Sequence, residues 1–153
     1  MTYASAIRHA LEDAMATDAS VVVLGQAVTD PKPTYGTTAG LAEKFGSDRA
    51  MNSPLSEEGM TGVAIGMALA GLRPVLVHIR MDFLLLGMNA LVNMAAPLKW
   101  MYGGRVRCPL VVRAVIGKSW GQGPQHSKGL YPMFCHIPGL KVVAPAFPGA
   151  AYL

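Results

Sequence analysis

Hydrophobic residues along this chain follow two patterns that alternate with each other. Short uninterrupted apolar runs that stop at glycine or proline are typical of strands buried on both faces of a parallel sheet. Between them, apolar residues recur every three or four positions, as they do on one face of a helix. The strands predicted in this way are SVVVLG (20–25), a weak segment at 48–52, RPVLVHI (73–79), PLVVRAVIG (109–117) and LKVVAP (140–145).

Helical patterns fill most of the intervals between these strands. The predicted helices are Tyr3–Thr17, a short one through LAEKFG, one that begins at Glu57 with Ser56 as its N-cap, Asp82–Met101 with a kink or end at Pro97, Lys128–His136, and a first turn at PGAAYL (148–153). Alternation of strands and helices predicts an α/β fold, a mostly parallel sheet sandwiched by helices.

The length of 153 residues and the 52% hydrophobic content fit one compact domain over residues 1–153. The chain stops inside the helical turn at 148–153. A natural boundary normally follows a complete element, so we expect a second domain that is absent from this sequence.

The cysteine count and the apolar runs indicate the cellular setting. Cys108 and Cys135 lie in apolar segments that predict burial, and they form no Cys-x-x-C pair, so a reducing cytoplasm is expected. The apolar runs Gly59–Leu72 and Phe83–Leu98 are shorter than the roughly 20 residues of a membrane span. We therefore expect no membrane partner. Their near-uniform apolarity instead predicts contact with other chains in a homo- or hetero-oligomer.

Charge is distributed unevenly along the chain. The first 82 residues hold all nine acids and six Lys or Arg, a net charge of −3, whereas residues 83–153 hold seven Lys or Arg and no acid. The basic residues are scattered and are not interleaved with aromatics, so no nucleic-acid surface is predicted. An anionic ligand, an acidic partner surface and simple solvation remain as explanations.

Two motifs with known chemistry can be rejected or demoted. Gly117-Lys118-Ser119 follows a strand as in a phosphate-binding loop, but Val112 stands where the required earlier glycine would be. GKSWG (117–121) matches a nucleophile elbow, with His126 or His136 as a base, but no acid follows position 82 to complete a triad. A serine hydrolase is thus the weakest of the alternatives. No grouping of ligand residues has metal-binding spacing, so no metal site is assigned to this chain.

Glu57 and Glu58 stand side by side at the start of a helix that is otherwise uncharged. One explanation is electrostatic, because acids in a first turn interact favourably with the helix dipole. The other is that one of the two is a catalytic acid that points into a cleft. The sequence around them does not decide between these explanations.

His126 is the histidine with the strongest chemical context. It lies in GPQHS, in a glycine-rich loop that follows a strand, whereas His78 is predicted to be a hydrogen-bonded core histidine. Ligands of open α/β sheets bind beyond the carboxyl ends of the strands. Glu57 or Glu58 and Phe83 also follow strands. We therefore predict that an acid, Phe83 and His126 meet at one rim of the sheet.

Several motifs in a fixed order now resemble a known family. They are SVVVLG, GLAEKFG, SPLSEEGMTGVAIGMALAGLRPV, MDF, GPQHS and IPGLKVVAP. From Thr2 to Leu153 the chain resembles the pyrimidine-binding, transketolase-like domain in the beta subunit of thiamine-diphosphate-dependent 2-oxo acid dehydrogenases of the pyruvate, branched-chain and acetoin group.

The resemblance implies specific roles. It makes Glu57 the glutamate that hydrogen-bonds the pyrimidine ring of thiamine diphosphate, so that the ring can remove the C2 proton of the thiazolium. It makes Phe83 an aromatic residue that lines the pyrimidine pocket. It places His126 near the substrate and the lipoyl acceptor. The diphosphate and Mg²⁺ are implied to be held by a partner alpha subunit, and a lipoyl-bearing acyltransferase is an implied further partner.

The chain also departs from the family pattern. An acidic pair usually follows the first strand's glycine, and this chain has Gln26 and Ala27 there. Arg80 and Met81 occupy a stretch that is often richer in aromatics, and Ala150 replaces an acid linked to potassium binding. These departures favour an alternative in which the fold is kept as a non-catalytic assembly module. Glu57 and His126 favour the enzyme.

Overall fold

A four-stranded, all-parallel sheet forms the centre of the computed structural model, which describes residues 1–31, 33–117 and 122–152. Its strands, in the spatial order β2-β1-β3-β4, are β1 (Val21–Gly25), β2 (Ala50–Asn52), β3 (Arg73–His78) and β4 (Val111–Ala114). Helices flank this sheet, so the predicted α/β class is confirmed. Four of the five predicted strands are present, each within a few residues of its expected position.

A close approach of two backbones fixes the carboxyl end of the central strand pair. Gly25 in β1 is in register with Val77 in β3, and its φ is +150°. A Cβ built on Gly25 would lie 2.2 Å from the Val77 carbonyl oxygen. Glycine is therefore required where β1 ends, immediately before the loop that begins with Gln26.

Seven α-helices surround the sheet in the described part of the chain. The first, α1, begins at a capping box in which Thr2 and Ser5 satisfy each other's backbone N–H groups, as its sharp predicted start suggests. The helices are α1 (Tyr3–Thr17), α2 (Leu41–Phe45), α3 (Glu57–Leu69), α4 (Met81–Leu84), α5 (Leu98–Met101), α6 (Tyr131–Cys135) and α7 (Pro148–Tyr152).

Two helical predictions need correction. Ser56 lies at the N-cap position of α3, but its side chain makes no capping hydrogen bond. The predicted single helix Asp82–Met101 is instead broken into α4, a 3₁₀ turn at Leu85–Gly87, a π-helical stretch at Ala90–Ala95, and α5. Pro97 lies between the last two, where its missing N–H prevents continuous α-helical hydrogen bonding.

The predicted strand LKVVAP (140–145) is also wrong, because no backbone pairing is present there and the segment is irregular. An apolar run becomes a strand only when a neighbouring strand accepts its hydrogen bonds. Here Leu140 and Val142 pack their side chains on a hydrophobic cluster, while Val143 is exposed. Burial of Cys135 was predicted as well, but this residue is exposed; Cys108 is half-buried, and both thiols are free.

The two faces of the sheet are covered by different helices. On one face, Val75 and Val77 of β3 pack with Leu11 and Met15 of α1. On the other, Leu76 packs with Ala64 of α3. Because side chains alternate along a strand, His78 lies on the α3 face, just beyond Leu76.

Large apolar side chains of the two apolar segments remain exposed. Val63 and Leu69 of α3, together with Leu86 and Met94 of the broken helix, are about half exposed. In the described residues no single helix is long and apolar enough to cross a membrane; one pair, Met81–Gly87 with Ala90–Met101, reaches that size only together and is bent by 58°. The prediction that these segments meet other chains stays a prediction.

Candidate functional site

Loops that follow three strands converge on one cavity at the carboxyl edge of the sheet. Gln26 follows β1, Glu57 begins α3 after β2, and Arg80 follows β3, so the parallel topology brings all three to the same edge. The cavity has a volume of about 380 Å³. Its lining residues are Gln26, Leu55, Glu57, Ile79, Arg80, Phe83, Gln122 and His126.

Glu57 is the carboxylate of this cavity, and a neighbouring amide holds it in place. The Nε2 of Gln26 donates a hydrogen bond of 2.8 Å to its Oε1. Gln26 is only 7% exposed, and its backbone N–H donates to the Val77 carbonyl at 3.1 Å. The hydroxyl of Thr61 donates to the backbone carbonyl of Glu57 at 2.7 Å. The orientation of Glu57 is thus fixed by contacts from β1 and from the next turn of α3.

Glu58 has a different environment although it is the next residue. It is exposed, and Asn89 Nδ2 donates to its Oε1 at 3.0 Å. Adjacent helix positions point about 100° apart, so two neighbouring acids cannot face one cleft. Only Glu57 of the pair lines the cavity.

Phe83 and His126 form a contact across the same cavity. Their ring centroids are 5.2 Å apart, and the rings are inclined at 73°, an edge-to-face arrangement. The Nδ1 of His126 is buried and has no hydrogen-bond partner in the part of the chain that the structure describes. The predicted meeting of an acid, Phe83 and His126 at one rim is therefore present in the geometry.

An ion pair joins the segments that carry these two rings. Asp82 precedes Phe83, and Lys128 follows His126 by two residues. Lys128 Nζ lies 3.2 Å from Asp82 Oδ1, and the Lys128 backbone N–H donates to the same carboxylate at 3.3 and 3.4 Å. The Asp82 side chain is 4% exposed. This buried carboxylate holds the His126 loop against α4.

Arg80 brings a positive charge to the cavity wall. It is 7% exposed, and its Nη2 donates to Gln122 Oε1 at 2.6 Å. Its guanidinium carbon lies 5.2 Å from the centroid of the Tyr35 ring. The sequence marked Arg80 only as a departure from the family pattern, and it gave no role to Gln122 or Tyr35. Position was the available signal, because Arg80 directly follows a buried strand.

His78 was predicted to be a hydrogen-bonded core histidine, and half of that prediction is wrong. It is 2% exposed, but neither ring nitrogen has a hydrogen-bond partner within the described residues. Burial lowers its pKa below the ordinary 6.5, while the charge of Glu57 acts in the opposite direction. His78 is therefore a neutral imidazole in the core, close enough to Glu57 to respond to its charge.

The rejected motifs can be placed only in part. Residues 118–121, which carry most of GKS and GKSWG, lie outside the described residues. His136 is exposed and follows α6, away from the cavity lining. A search of the described residues finds no group of three or more His, Cys, Asp or Glu that could hold a metal ion.

Comparison with known proteins identifies the relationship of the chain. The family model of the transketolase pyrimidine binding domain matches residues 1–152. The chain is 40% identical to the pyruvate dehydrogenase E1 component subunit beta of Rickettsia bellii, covering 95% of this chain and 45% of that protein. It is 39% identical to the acetoin:2,6-dichlorophenolindophenol oxidoreductase subunit beta of Cupriavidus necator, covering 94% and 45%.

A mitochondrial relative extends the range of organisms. The pyruvate dehydrogenase E1 component subunit beta-1 of Oryza sativa is 36% identical over 95% of this chain and 39% of its own length. The chain thus spans less than half the length of these curated relatives. Its fold, its carboxyl-edge cavity and the family match agree, and the chain belongs to the transketolase pyrimidine-binding domain family.

Proposed function

We propose that this chain is the pyrimidine-binding part of the beta subunit of a thiamine-diphosphate-dependent 2-oxo acid dehydrogenase, and that it activates the cofactor for oxidative decarboxylation. One observation carries the proposal. Glu57, held by Gln26 at the carboxyl edge of the sheet, lines one cavity together with Phe83 and His126. The names of the relatives supply the reaction class.

The residues present fit an aminopyrimidine ring. Leu55, Ile79 and Phe83 give the cavity apolar walls suited to an aromatic ring, and Glu57 gives a carboxylate able to contact a ring nitrogen. The chemistry that thiamine diphosphate supplies when bound is a carbon nucleophile and an electron sink. Glu57 and Phe83 would hold the pyrimidine.

Each side chain has a task that follows from its chemistry. Glu57 would hold and move a proton at the pyrimidine ring nitrogen, and the Gln26 hydrogen bond leaves its second carboxylate oxygen to make that contact. Phe83 would pack against the ring and exclude water. His126, whose Nδ1 is buried without a partner, would donate a proton or orient the acceptor of the acyl group.

The proposal includes partners beyond this chain. An alpha subunit would hold the diphosphate and Mg²⁺, and a lipoyl-bearing acyltransferase would accept the product. A second domain after residue 153, a homo- or hetero-oligomeric assembly and a cytoplasmic location belong to the same proposal. The half-exposed apolar side chains of α3 are consistent with such an assembly.

Paired substitutions in the assembled enzyme test the catalytic role. Glu57→Gln should nearly abolish thiamine-dependent decarboxylation of 2-oxo acids, because an amide keeps the shape but cannot exchange a proton with the ring. Glu58→Gln is the matched control. It should cost less than about 1 kcal/mol of stability and leave turnover largely intact. Full activity of the Glu57→Gln enzyme would contradict the proposal.

A second candidate function is a non-catalytic assembly module. Gln26 favours it, because this neutral amide occupies a position where the family usually has an acid and is bonded to Glu57 itself. If the assembly forms with an alpha-type chain but shows no thiamine-dependent turnover before or after Gln26→Glu, the module is the better description.

A further inference from the structure

Two charged groups of opposite sign line the cavity, and each is held by a glutamine. Gln26 binds Glu57 at 2.8 Å, and Gln122 binds Arg80 at 2.6 Å. The proposed function uses the carboxylate and leaves the guanidinium without a task. A buried cation is costly to maintain unless its surroundings or a ligand compensate it, so Arg80 calls for an explanation.

The surroundings of Arg80 fix the guanidinium in one orientation. Its Nη1 donates to the Ile79 carbonyl at 3.2 Å, its Nη2 donates to Gln122, and the Tyr35 ring lies beside the guanidinium. A guanidinium positioned in advance loses little entropy when an anion binds. Arg80 therefore has the character of a prepared anion-binding group in a cavity wall.

The backbone of the Tyr35 loop carries strain that this arrangement explains. Thr34 has a φ of +32° and Tyr35 a φ of +59°, values that side chains other than glycine rarely adopt. The loop is tied to the site, since the hydroxyl of Thr34 donates to the Gln26 carbonyl at 3.1 Å. Strain of this kind persists where the fold requires a particular placement and is concentrated at ligand sites. Here it brings the Tyr35 ring to Arg80.

The chemistry of decarboxylation decides which anion fits. When a 2-oxo acid reacts, the bond between C1 and C2 breaks, CO₂ leaves, and the electron pair is taken up by the cofactor. The charge of the reacting carboxylate disappears in that step. A cation fixed on that group would stabilise the ground state more than the transition state and slow the reaction. A guanidinium is useful only to a second carboxylate that keeps its charge.

We propose that Arg80 binds the non-reacting carboxylate of the substrate, and that the substrate class is therefore a 2-oxo dicarboxylic acid. The inference rests on the proposed function for the identity of the reaction. It makes Arg80 a specificity-determining residue, with Gln122 and Tyr35 as the residues that position it. A guanidinium and a carboxylate form two parallel charge-assisted hydrogen bonds, which supply the affinity.

Direct binding tests the inference without requiring turnover. The protein is expressed from its own gene, kept with any chain that copurifies, and titrated calorimetrically without thiamine with 2-oxoglutarate, pyruvate or inorganic phosphate. We expect 2-oxoglutarate to bind at least about tenfold more tightly than pyruvate or phosphate. Arg80→Met should weaken it by about ten- to a hundredfold, whereas Arg105→Met, which removes the same charge from an exposed position, should change nothing.

Further variants separate a folding defect from a lost contact. Arg80→Lys keeps the charge without the planar fork and should weaken 2-oxoglutarate binding several-fold. Tyr35→Leu leaves Arg80 in place and should give a smaller loss. Equal binding of pyruvate, equal binding of phosphate, or unchanged affinity in Arg80→Met would each overturn the inference.

Activity then distinguishes this inference from the function on which it rests. If the assembled enzyme decarboxylates pyruvate, loses that activity in Glu57→Gln and is indifferent to Arg80→Met, the proposed function stands and the substrate class is wrong. If 2-oxoglutarate binds through Arg80 but no 2-oxo acid is decarboxylated, the anion site stands and the reaction is wrong. A KM for 2-oxoglutarate that rises in Arg80→Met, with kcat less affected, supports both.

Discussion

Removal of the Lys128 ammonium tests how the histidine loop is held. In Lys128→Met the hydrocarbon stem is largely kept and the charge is lost. Asp82, whose side chain is 4% exposed, would then keep only the two backbone contacts of 3.3 and 3.4 Å as its hydrogen bonds. A buried carboxylate that loses its cation is left with an unfavourable desolvation energy.

The size of the effect follows from the burial of the two partners. Breaking a fully buried ion pair costs about 3–5 kcal/mol. The Lys128 side chain is 48% exposed, so water screens the pair. We therefore expect Lys128→Met to lower the free energy of unfolding by about 1.5–3 kcal/mol. Asp82→Asn should cost less, about 0.5–1.5 kcal/mol, because the amide carries no charge and Lys128 can turn to solvent.

Urea denaturation of both single variants and the double variant measures this coupling. We expect a coupling energy of about 1 kcal/mol or more. Lys44→Met is the matched control, because Lys44 lies 4.0 Å from Glu12 and both side chains are more exposed. That surface pair should contribute less than about 1 kcal/mol. A Lys128–Asp82 coupling energy below about 0.3 kcal/mol would refute the reasoning.

Three other properties of the fold give further tests. Because burial lowers the pKa of His78 below 6.5, the unfolded chain binds a proton that the folded chain excludes, so stability should fall as pH drops below about 6.5 toward the lowered value. His78→Phe should flatten that profile in urea denaturation at pH about 7.5 and 5.5, and a slope unchanged from wild type, as expected for exposed His136→Gln, would count against this. Gly25→Ala should cost at least about 2 kcal/mol, because its Cβ would meet the Val77 carbonyl at 2.2 Å. Gly66→Ala in α3, with nothing within 4 Å, should instead stabilise the chain by up to about 1 kcal/mol; similar denaturation midpoints for the two would contradict both. Sedimentation at high concentration should show association through the exposed apolar helices, and a clean monomer would exclude it.

Elements defined by local signals were predictable from the sequence. The bounds of α1 agree with the prediction because its apolar period begins at a capping box. The strands β1 and β3 were clear because they are buried on both faces and read as continuous apolar runs. The segment at 140–145 has the same composition but no pairing partner, which composition alone cannot reveal.

The candidate site was predictable to the extent that topology determines it. Parallel strands place their carboxyl ends at one edge, so the meeting of Glu57, Phe83 and His126 followed from their positions after strands. The choice of Glu57 over Glu58 came from the family motif, and the geometry gives it a physical basis, since only one of the two lines the cavity. Contacts between side chains distant in sequence, such as Arg80 with Gln122, leave no signal in a single sequence.

The two departures from the family pattern act in the same electrostatic direction. Where the resemblance implies an acid beside the cofactor, Gln26 is neutral; where it implies an aromatic, Arg80 is positive. Each change makes the potential in the cavity more positive, and the Coulomb interaction between unit charges 4 Å apart is about 4 kcal/mol at an effective dielectric constant of 20. Loss of function alone gives no reason for a buried cation that is held by Gln122 and placed beside Tyr35. A site that had lost its function would accumulate small or solvent-compatible residues, whereas this one keeps Glu57 oriented and adds an oriented positive charge. The combination is that of a cavity adapted to a ligand with more negative charge.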